Sequence, residues 1–452
     1  MKSLKFNLTK FLFILMFFIF HTSLLTIFNI DEFDTSKVLS SIEYLTSDEL
    51  KGRLCGEEGN TLAQNYILNN FKKNMLEPYN LNYLHPFKVF YPKRINGEPS
   101  LTITDSSGNI IKNFEYNRDF KDTFLNFKAN DISFSNEDAI SSNTSALATK
   151  TSSGEKVVFI STTMDAFEFR SSFDYNSVFD LYVNLSPKTF KEIKKACEDG
   201  YTINCYIPYT TEETTINNVA GIIKGKNSRL PPLVLTAHFD HLGTDLVGNI
   251  YKGALDNASG ASFLIELSSL LSSLPTPNRD IIFVALNAEE FGLLGSNNFA
   301  SENSEVLKGG KVINFDMIGS DDNIPLTLMT GENEDTRGDL LDNLKEYCEE
   351  NKITYLIEDK DSSDHASFLN NGIDSVTIND SDVSRIHTKH DTLEFISESA
   401  INRAFLVTIS QIYDYAYSSS TFFLLNTINL IILGVMTFLL FILLLIMNNK
   451  KV

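Results

Sequence analysis

The second half of the sequence predicts an α/β fold in which a mostly parallel sheet is covered by helices on both faces. Short, wholly apolar runs of strand length alternate there with segments whose apolar residues recur at helical spacing. Wholly apolar strands are typical of sheets that are buried on both faces, and a helix between successive strands is the usual connection of parallel neighbours.

These elements alternate from residue 217 onward. The sequence shows no internal repeat. We expect strands at 233–236, 281–286, 311–315 and 375–378, and helices at 259–271, 291–300, 335–350 and 397–415. The first helix shows the pattern most clearly, because one of its faces is lined by Phe263, Leu264, Leu267, Leu270 and Leu271.

Two regions precede this alternating half. Residues 35–78 predict helices separated by a turn, on the basis of capping residues and helical spacing. Residues 86–215 predict a β-rich accessory region, because short alternating runs are separated there by Ser, Asn, Asp and Gly. Within it, the Ser-, Thr- and Asn-rich segment 136–154 predicts a surface loop.

Charge and cysteine content exclude several classes of function. The net charge of −20 argues against a nucleic-acid-binding surface, which would be basic. The four cysteines form no CxxC pair, so neither a zinc ribbon nor a dithiol redox motif is indicated. Cys197 and Cys205 are either free thiols or the two ends of a small loop disulfide.

Both ends of the chain are hydrophobic. Three lysines among the first ten residues precede the apolar run 11–20, so residues 1–30 predict either a cleaved signal peptide or an uncleaved signal anchor. Residues 422–447 carry no charge and predict a transmembrane helix, which Lys450 and Lys451 follow. Positive charge outside both segments predicts that both flanks lie in the cytoplasm and that the residues between them are exported.

Most of the histidines gather in short segments that also carry clustered carboxylates. Histidine and acid stand together in 238–241, 363–365 and 387–391, and further acids stand in 255–257 and 288–291. Imidazole and carboxylate together form a ligand set for zinc, and the absence of cysteine from these segments argues against a closed structural zinc site.

Acidic or histidine side chains also follow the predicted strands directly. In an open α/β sheet the carboxyl ends of parallel strands share one edge, where ligands bind. Residues far apart in the sequence are therefore expected to meet at one site. These residues are His238, Asp256, Glu289, Glu290, Asp316 and His387.

Such a gathering requires positive charge. Carboxylates repel one another and buried charge is costly, and a pair of divalent metal ions offsets both effects. Two metal ions can also activate a water and polarise a carbonyl. Amide hydrolysis then needs one more carboxylate to move the proton from the water to the leaving amine, and the neighbours Glu289 and Glu290 can supply one base and one ligand. The residues therefore predict a two-metal hydrolase.

Five motifs, in order, resemble those of the M28 zinc peptidases, the di-zinc aminopeptidases and their relatives. They are Thr236-Ala237-His238-Phe239-Asp240-His241-Leu242-Gly243 and the segments 253–260, 287–296, 314–319 and 387–392. The resemblance covers about 217–415, together with Gly52-Arg53 and the helix that follows it. It implies a mixed sheet of the zinc aminopeptidase type and the release of N-terminal residues from peptides.

The resemblance also implies a role for each residue. The ligands of two Zn²⁺ ions would be His238 and Asp316 for the first ion, Glu290 and His387 for the second, and Asp256 as a bridge between them. Glu289 would be the general base, and Asp240 would orient the His238 imidazole. Asp364 and His365 would support the pocket. His241, His365 and His390 are expected at the surface or beside the ligands rather than as ligands themselves.

The predicted organisation of the chain follows from these segments. It comprises a signal peptide or anchor (1–30), the N-terminal part of the peptidase domain (35–85), a β-rich insert (86–215), the zinc peptidase domain (216–417) and a transmembrane helix (422–447). The insert occupies the place where many relatives carry a protease-associated domain. We expect a protein bound to the cell membrane, with its catalytic domain outside the cytoplasm and peptides as its substrates.

Two alternatives stay open beside the aminopeptidase interpretation. Glutaminyl cyclases use a related scaffold with one zinc ion, which the complete ligand set disfavours. Receptor-like relatives are catalytically silent, but they tend to lose ligands or the base, and all six positions are filled here.

Leu255 stands where many members have an acid and Ile386 where some have tyrosine, and neither departure removes a ligand. The same motifs serve aminopeptidases, dipeptidases and carboxypeptidases.

Overall fold

The computed structural model describes residues 2–29, 32–334, 337–417 and 427–449. The helices in this part of the chain are α1 (Lys2–Asn29), α2 (Thr35–Leu45), α3 (Glu58–Lys73), α4 (Pro187–Glu198), α5 (Gly260–Ser273), α6 (Leu294–Leu307), α7 (Leu340–Glu350), α8 (His365–Leu369), α9 (Glu398–Ala416) and α10 (Thr427–Asn449).

The strands are named in the same way. They are β1 (Glu77–Pro78), β2 (Leu84–Arg94), β3 (Ser100–Thr104), β4 (Ile110–Phe114), β5 (Phe120–Phe127), β6 (Asp131–Phe134), β7 (Ala139–Ser142), β8 (Ala146–Lys150), β9 (Lys156–Ser161), β10 (Leu181–Leu185), β11 (Thr202–Tyr206), β12 (Tyr209–Ile223), β13 (Leu233–His238), β14 (Ile281–Leu286), β15 (Lys311–Phe315), β16 (Leu326–Thr330), β17 (Tyr355–Asp359) and β18 (Asp374–Asp380).

The largest sheet is mixed, as predicted. Its strand order is β1-β12-β14-β13-β15-β18-β16-β17, and β2 pairs with β12. The four central strands β14, β13, β15 and β18 are parallel neighbours. They are flanked by antiparallel pairings of β12 with β14 and of β16 with β18. The parallel centre places the carboxyl ends of these four strands along one edge.

Both faces of this sheet are covered by helices, which confirms the prediction from the apolar strands. In β14, Ile281, Phe283 and Ala285 join the large core cluster that contains the buried residues of α2, α5 and α9. The alternate residues Ile282 and Val284 join a second cluster, which contains Phe299 of α6 and Phe368 of α8. The period of two along a strand therefore divides one apolar run between two cores.

Several element boundaries differ from those predicted. The helix expected at 291–300 begins at Leu294, because Gly292 and Leu293 adopt positive φ angles of 88° and 60° and hold the chain in a turn. The helix expected at 335–350 begins at Leu340, and residues 335 and 336 lie outside the described residues. Strands β16 and β17 were not predicted. The segment 136–154, expected to be a loop, contains the antiparallel hairpin β7–β8.

The β-rich region is joined to the large sheet by a long ribbon. Strands β2 and β12 pair antiparallel from Leu84 with Val219 to Arg94 with Tyr209. Beyond the ribbon lie a sheet of order β5-β10-β9-β8-β7 and a sheet of order β4-β3-β11-β6. Their phenylalanine-rich core is continuous with residues of the second half such as Leu242 and Phe291. All four cysteines are free and buried, so no disulfide joins Cys197 to Cys205.

The terminal helices α1 and α10 pack against each other. Within them, Lys5–Leu24 and Asn429–Met447 are long and apolar enough to cross a membrane, with mean hydropathies of 1.5 and 3.2. The rings of Phe13 and Phe441 lie 5.8 Å apart, and Phe20 lies against Gly434. The helices are therefore antiparallel, with residues 2 and 449 at the same end. Residues 1, 30 and 422–426 of the predicted terminal segments lie outside the described residues.

Arg53 fastens the N-terminal region to the second half of the chain. Its side chain is fully buried. Nη1 donates to the carbonyl oxygens of Leu45 and Lys252, at 2.6 and 2.7 Å. Nε donates to the Phe239 oxygen at 2.8 Å, and Nη2 donates to the Gly253 oxygen at 2.9 Å. Desolvation lowers the pKa of Arg53 to about 10, so the guanidinium keeps its charge at neutral pH.

Replacing Arg53 by lysine is expected to destabilise the fold by about 2–4 kcal/mol, because a compact ammonium cannot serve four carbonyls that lie around a planar fork. Thermal unfolding of the detergent-solubilised chain, followed by circular dichroism, measures the effect as a lower Tm. The matched control is Arg118→Lys, since the Arg118 side chain is 63% exposed and its ion pairs are solvated. Equal unfolding temperatures for the two variants would contradict the prediction.

Candidate metal centre

The carboxyl edge of the central strands carries the predicted site. His238 is the last residue of β13, and Asp316 follows β15 directly. Glu289 and Glu290 lie in the turn after β14, and His387 lies in the loop after β18. Asp256 lies in the irregular turn Ala254–Ser259 that enters α5. The fold thus brings the six predicted residues to one place, as the positions of the strand ends led us to expect.

The first cluster consists of His238, Asp256 and Asp316, all buried. The His238 Nε2 atom lies 3.4 Å from Asp256 Oδ1 and 3.4 Å from Asp316 Oδ1. A tetrahedral zinc ion with bonds of 2.0–2.1 Å holds its ligand atoms about 3.3 Å apart, whereas a charge-assisted hydrogen bond spans about 2.8 Å. The spacing therefore suits ligands of a common ion better than hydrogen-bonded partners.

The second cluster consists of Asp256, Glu290 and His387. The His387 Nε2 atom lies 3.2 Å from Asp256 Oδ2 and 3.3 Å from Glu290 Oε2. These distances again match the spacing of ligands around one ion. Asp256 directs Oδ1 to the first cluster and Oδ2 to the second, which is the arrangement of a bridging carboxylate.

His241 lies within this site. Its side chain is fully buried, so of the two locations expected from the sequence, at the surface or beside the ligands, the structure shows the second. The Nδ1 atom lies 2.9 Å from Glu290 Oε1, a hydrogen-bond distance, and 3.8 Å from Asp256 Oδ2, and these three buried side chains are grouped closely enough to hold a metal ion. His241 therefore donates to the Glu290 carboxylate. The repeat of histidine three residues after His238 was the signal that pointed to it.

Unpartnered polar atoms mark the first cluster as a cation site. His238 Nε2 and Asp316 Oδ1 are buried and form no hydrogen bond within the described residues. Buried polar atoms are almost always satisfied, so orphaned atoms call for a ligand. The other oxygen of Asp316 accepts a hydrogen bond from Ser363 Oγ at 2.6 Å, which fixes the carboxylate with its free oxygen toward His238.

The acids around the site attract positive charge. Burial alone would lower the pKa of the His238 ring, but Glu289 and Asp316 outweigh burial and raise that pKa well above its usual value. Burial would also lower the pKa of the His387 ring, but Glu290 and Asp256 outweigh burial and raise that pKa well above its usual value. A divalent cation supplies the same charge and leaves both rings neutral, with a lone pair for the metal. The residues present therefore fit a metal ion.

Glu289 lies at the accessible side of the site. It is partly exposed, yet desolvation by the surrounding protein raises the pKa of its carboxyl well above the usual value. The His238 ring opposes this rise, and the acids Glu290 and Asp316 add to it. Glu289 is thus a partly exposed carboxyl group beside the ligands.

Asp240 and Asp391 hold the backbone of the ligand loops. The two oxygens of Asp240 accept hydrogen bonds from the backbone N–H groups of Glu289 and Glu290, at 3.1 and 3.2 Å. Asp240 Oδ1 lies 3.6 Å from His238 Nδ1, so its hydrogen bonds go to the glutamate turn rather than to the ring. Asp391 accepts hydrogen bonds from the N–H groups of Leu255 and Asp256, a role that the sequence did not indicate.

The Ser363-Asp364-His365 element lies behind the first cluster. His365 is buried and hydrogen-bonds through Nδ1 to Thr377 Oγ1 and through Nε2 to the Lys360 carbonyl, at 2.8 and 2.9 Å. Burial raises the pKa of Asp364 to about 7, against the opposing charge of His238. His390, by contrast, is 55% exposed and pairs with Glu168. These positions agree with the expected supporting and surface locations.

The β-rich region also reaches the site, which the sequence did not indicate. The ring of Phe169 stacks on that of His387, with centroids 5.4 Å apart. The hydroxyl of Ser172 donates to Glu290 Oε2 at 2.6 Å. The second cluster is therefore built from both regions of the chain.

Relatives of known sequence match part of the chain. Aminopeptidase YwaD of Bacillus subtilis (strain 168) is 31% identical over 210 residues, which are 44% of this chain and 45% of that protein. A vacuolar membrane protease of Clavispora lusitaniae is 36% identical over 83 residues, 18% of this chain and 8% of that protein. The chain thus spans less than half the length of these relatives.

Solved structures share the fold over a larger part of the chain. The aminopeptidase from Aneurinibacillus sp. strain AM-1 superposes with a TM-score of 0.61 at 18% identity, covering 86% of this chain and 95% of that one. BSAP, a zinc aminopeptidase from Bacillus subtilis, superposes with a TM-score of 0.60 at 21% identity, covering 86% and 96%.

The sequence profile of peptidase family M28 matches residues 218–411. This range contains both clusters, Glu289 and Asp240. The segment that carries the metal centre therefore belongs to peptidase family M28, as the resemblance of its motifs predicted.

Proposed function

We propose that the protein is a membrane-anchored aminopeptidase that holds two zinc ions and works outside the cytoplasm. The observation that carries this proposal is the bridging position of Asp256, whose two oxygens face His238 and His387 at 3.4 and 3.2 Å. Two ligand sets that share one carboxylate favour a pair of ions over a single one.

The chemistry divides between the ions and the side chains of the chain. When bound, a zinc pair polarises the scissile carbonyl and makes water a better nucleophile at neutral pH. His238 and Asp316 would hold the first ion, Glu290 and His387 the second, and Asp256 both. Glu289 would accept a proton from the attacking water on its carboxylate and return it to the leaving amine nitrogen.

We base the proposed release of N-terminal residues, rather than another peptidase activity, on the names of the relatives. YwaD and the two superposed structures are named aminopeptidases. The cyclase alternative requires one zinc ion, and the second cluster supports a hydrolase instead. The free α-amino group of a peptide carries positive charge, and the acids near the metals offer it a favourable environment.

The location proposed for the catalytic region rests on the terminal helices. Helices α1 and α10 pack antiparallel, which would place both chain ends on one side of a membrane. The lysines next to the two apolar segments favour the cytoplasm for that side. A relative named as a membrane protease agrees with membrane attachment.

Replacing Glu289 by glutamine is expected to lower kcat by about 10²–10⁴-fold, because the amide cannot accept the proton of the water. Zinc content should stay at the wild-type value, since Glu289 is not a proposed ligand. A peptide-library digest read by mass spectrometry from both termini measures the activity, and elemental analysis measures the zinc. Glu305→Gln, on the exposed side of α6, is the control. Full activity of Glu289→Gln would show that the proton is moved by another group.

Zinc content is expected to be two ions per chain in the purified wild-type protein. Asp316→Asn removes a ligand of the first ion only and should retain about one ion. Asp256→Asn disturbs both clusters and should retain less than one. Elemental analysis after dialysis gives these numbers, with the exposed Asp321→Asn as control. Chelation should abolish hydrolysis and added zinc restore it. A wild-type stoichiometry of one ion would contradict the paired site.

The topology of the chain is testable in intact cells. With epitope tags at both ends, added protease should digest the region between the terminal helices and leave both tags protected, because only the exported region is accessible. Permeabilised cells, in which the tags are digested as well, provide the control. A shielded central region in intact cells would place the metal centre in the cytoplasm.

A further inference from the structure

A short segment of the β-rich region, between β9 and β10, lies against the metal centre. We call residues 168–173 the strap. Buried side chains anchor it: the Arg170 guanidinium lies 3.6 Å above the Phe124 ring, and Phe173 packs against Phe291 with ring centroids 5.1 Å apart. Arg170 and Phe173 are only 2% and 1% exposed, so the strap has a defined position on the fold.

The backbone of the strap bonds to both unshared ligands of the second cluster. The N–H group of Arg170 donates to the carbonyl oxygen of His387 at 2.9 Å, and the N–H group of Phe173 donates to that of Glu290 at 2.9 Å. The loops that present His387 and Glu290 are therefore linked to each other through the strap. Among the described residues, His238 and Asp316 of the first cluster form no backbone hydrogen bond with the strap.

Ser172 adds a direct contact with a ligand atom. Its hydroxyl donates to Glu290 Oε2 at 2.6 Å, the oxygen that lies 3.3 Å from His387 Nε2. His241 holds the other oxygen, Oε1, at 2.9 Å. A carboxylate oxygen has two lone pairs, so the hydroxyl occupies one and leaves the other for a metal ion. With both oxygens held, the carboxylate cannot rotate away from the position of the second ion.

We propose that Ser172 is a positioning residue that orients the Glu290 carboxylate for the second metal ion, so that the β-rich region completes the second half of the metal centre. This inference rests on the proposed zinc pair and deepens it. Partners that orient a metal ligand in this way commonly change metal affinity by about 10–100-fold when they are removed. An affinity effect confined to the second ion separates this role from a general contribution to stability.

The neighbouring residue supplies a matched control. Ser171 is also half-buried in the strap, and its hydroxyl donates at 2.6 Å to the carbonyl oxygen of Thr123, within the β-rich region. Ser171→Ala therefore removes a hydrogen bond of similar length from the same segment without touching a ligand. Ser172→Thr keeps the hydroxyl and tests for rescue.

The experiment measures Zn²⁺ affinity of the full chain against a competing chelator in two backgrounds. Asp316→Asn leaves the second cluster intact, and Glu290→Gln leaves the first. We expect Ser172→Ala to weaken Zn²⁺ binding about 10–100-fold in the Asp316→Asn background and to leave it unchanged in the Glu290→Gln background. Ser172→Thr and Ser171→Ala should bind as their parent backgrounds do.

Other results overturn the inference. Unchanged affinity of Ser172→Ala in the Asp316→Asn background shows that the hydroxyl does not position the ligand. Equal weakening in both backgrounds, together with a lower Tm, shows that Ser172 contributes only to stability. The wild-type chain is titrated in parallel to test the zinc pair itself. If the wild-type chain binds a single zinc ion, both the proposed pair and the proposed role of Ser172 are wrong.

Discussion

The gathering of carboxylates at one edge of the sheet is the constraint that organises this molecule. Asp256 shares one buried cluster with Asp316 and another with Glu290, each with its ligand atoms within 4.8 Å of one another, and buried like charges are unfavourable without compensation. The two imidazoles cannot compensate them in the neutral form, and the raised pKa values of His238 and His387 show how strongly the site demands positive charge. Divalent metal would satisfy this demand, and several surrounding side chains hold the acids in place.

The rigidity of the site comes from groups that bind backbone rather than metal. Arg53 donates to four carbonyl groups on three segments, and one of these, Gly253, lies just before Asp256. Asp391 fixes the N–H groups on the other side of that turn, and Asp240 fixes the glutamate turn. Each of these side chains is fully or almost fully buried, so its hydrogen bonds act in a medium where they are strong. These three side chains thus hold the loops that carry the ligands through the backbone of those loops.

Sequence patterns predicted the parts of the fold that local chemistry determines. The apolar runs gave the central strands, and the position of His238, Glu290 and Asp316 after those runs gave the site, because parallel strands share one carboxyl edge. The sequence did not predict the late start of α6. The turn imposes the positive φ angle of Leu293, and leucine as a residue type gives no sign of such an angle. Ser172 was missed for another reason. Its contact with Glu290 joins residues 118 positions apart, and no local spacing encodes such a pair.

The two halves of the metal centre differ in how they are built. The first cluster takes its ligands from the ends of β13 and β15 and from Asp256, and Ser363 of the same region holds the Oδ2 atom of Asp316, so that Oδ1 stays free. The second takes Glu290 and His387 from turns and loops, which are held less firmly than strand ends. The strap supplies the missing support from a region that is itself fixed to the second half by the buried ion pair of Lys121 with Asp245 at 3.1 Å. Because breaking a buried pair leaves an uncompensated charge, the placement of the strap is energetically tied to the peptidase segment. The β-rich region therefore contacts the site through one half only, the half that contains Glu290 and His387.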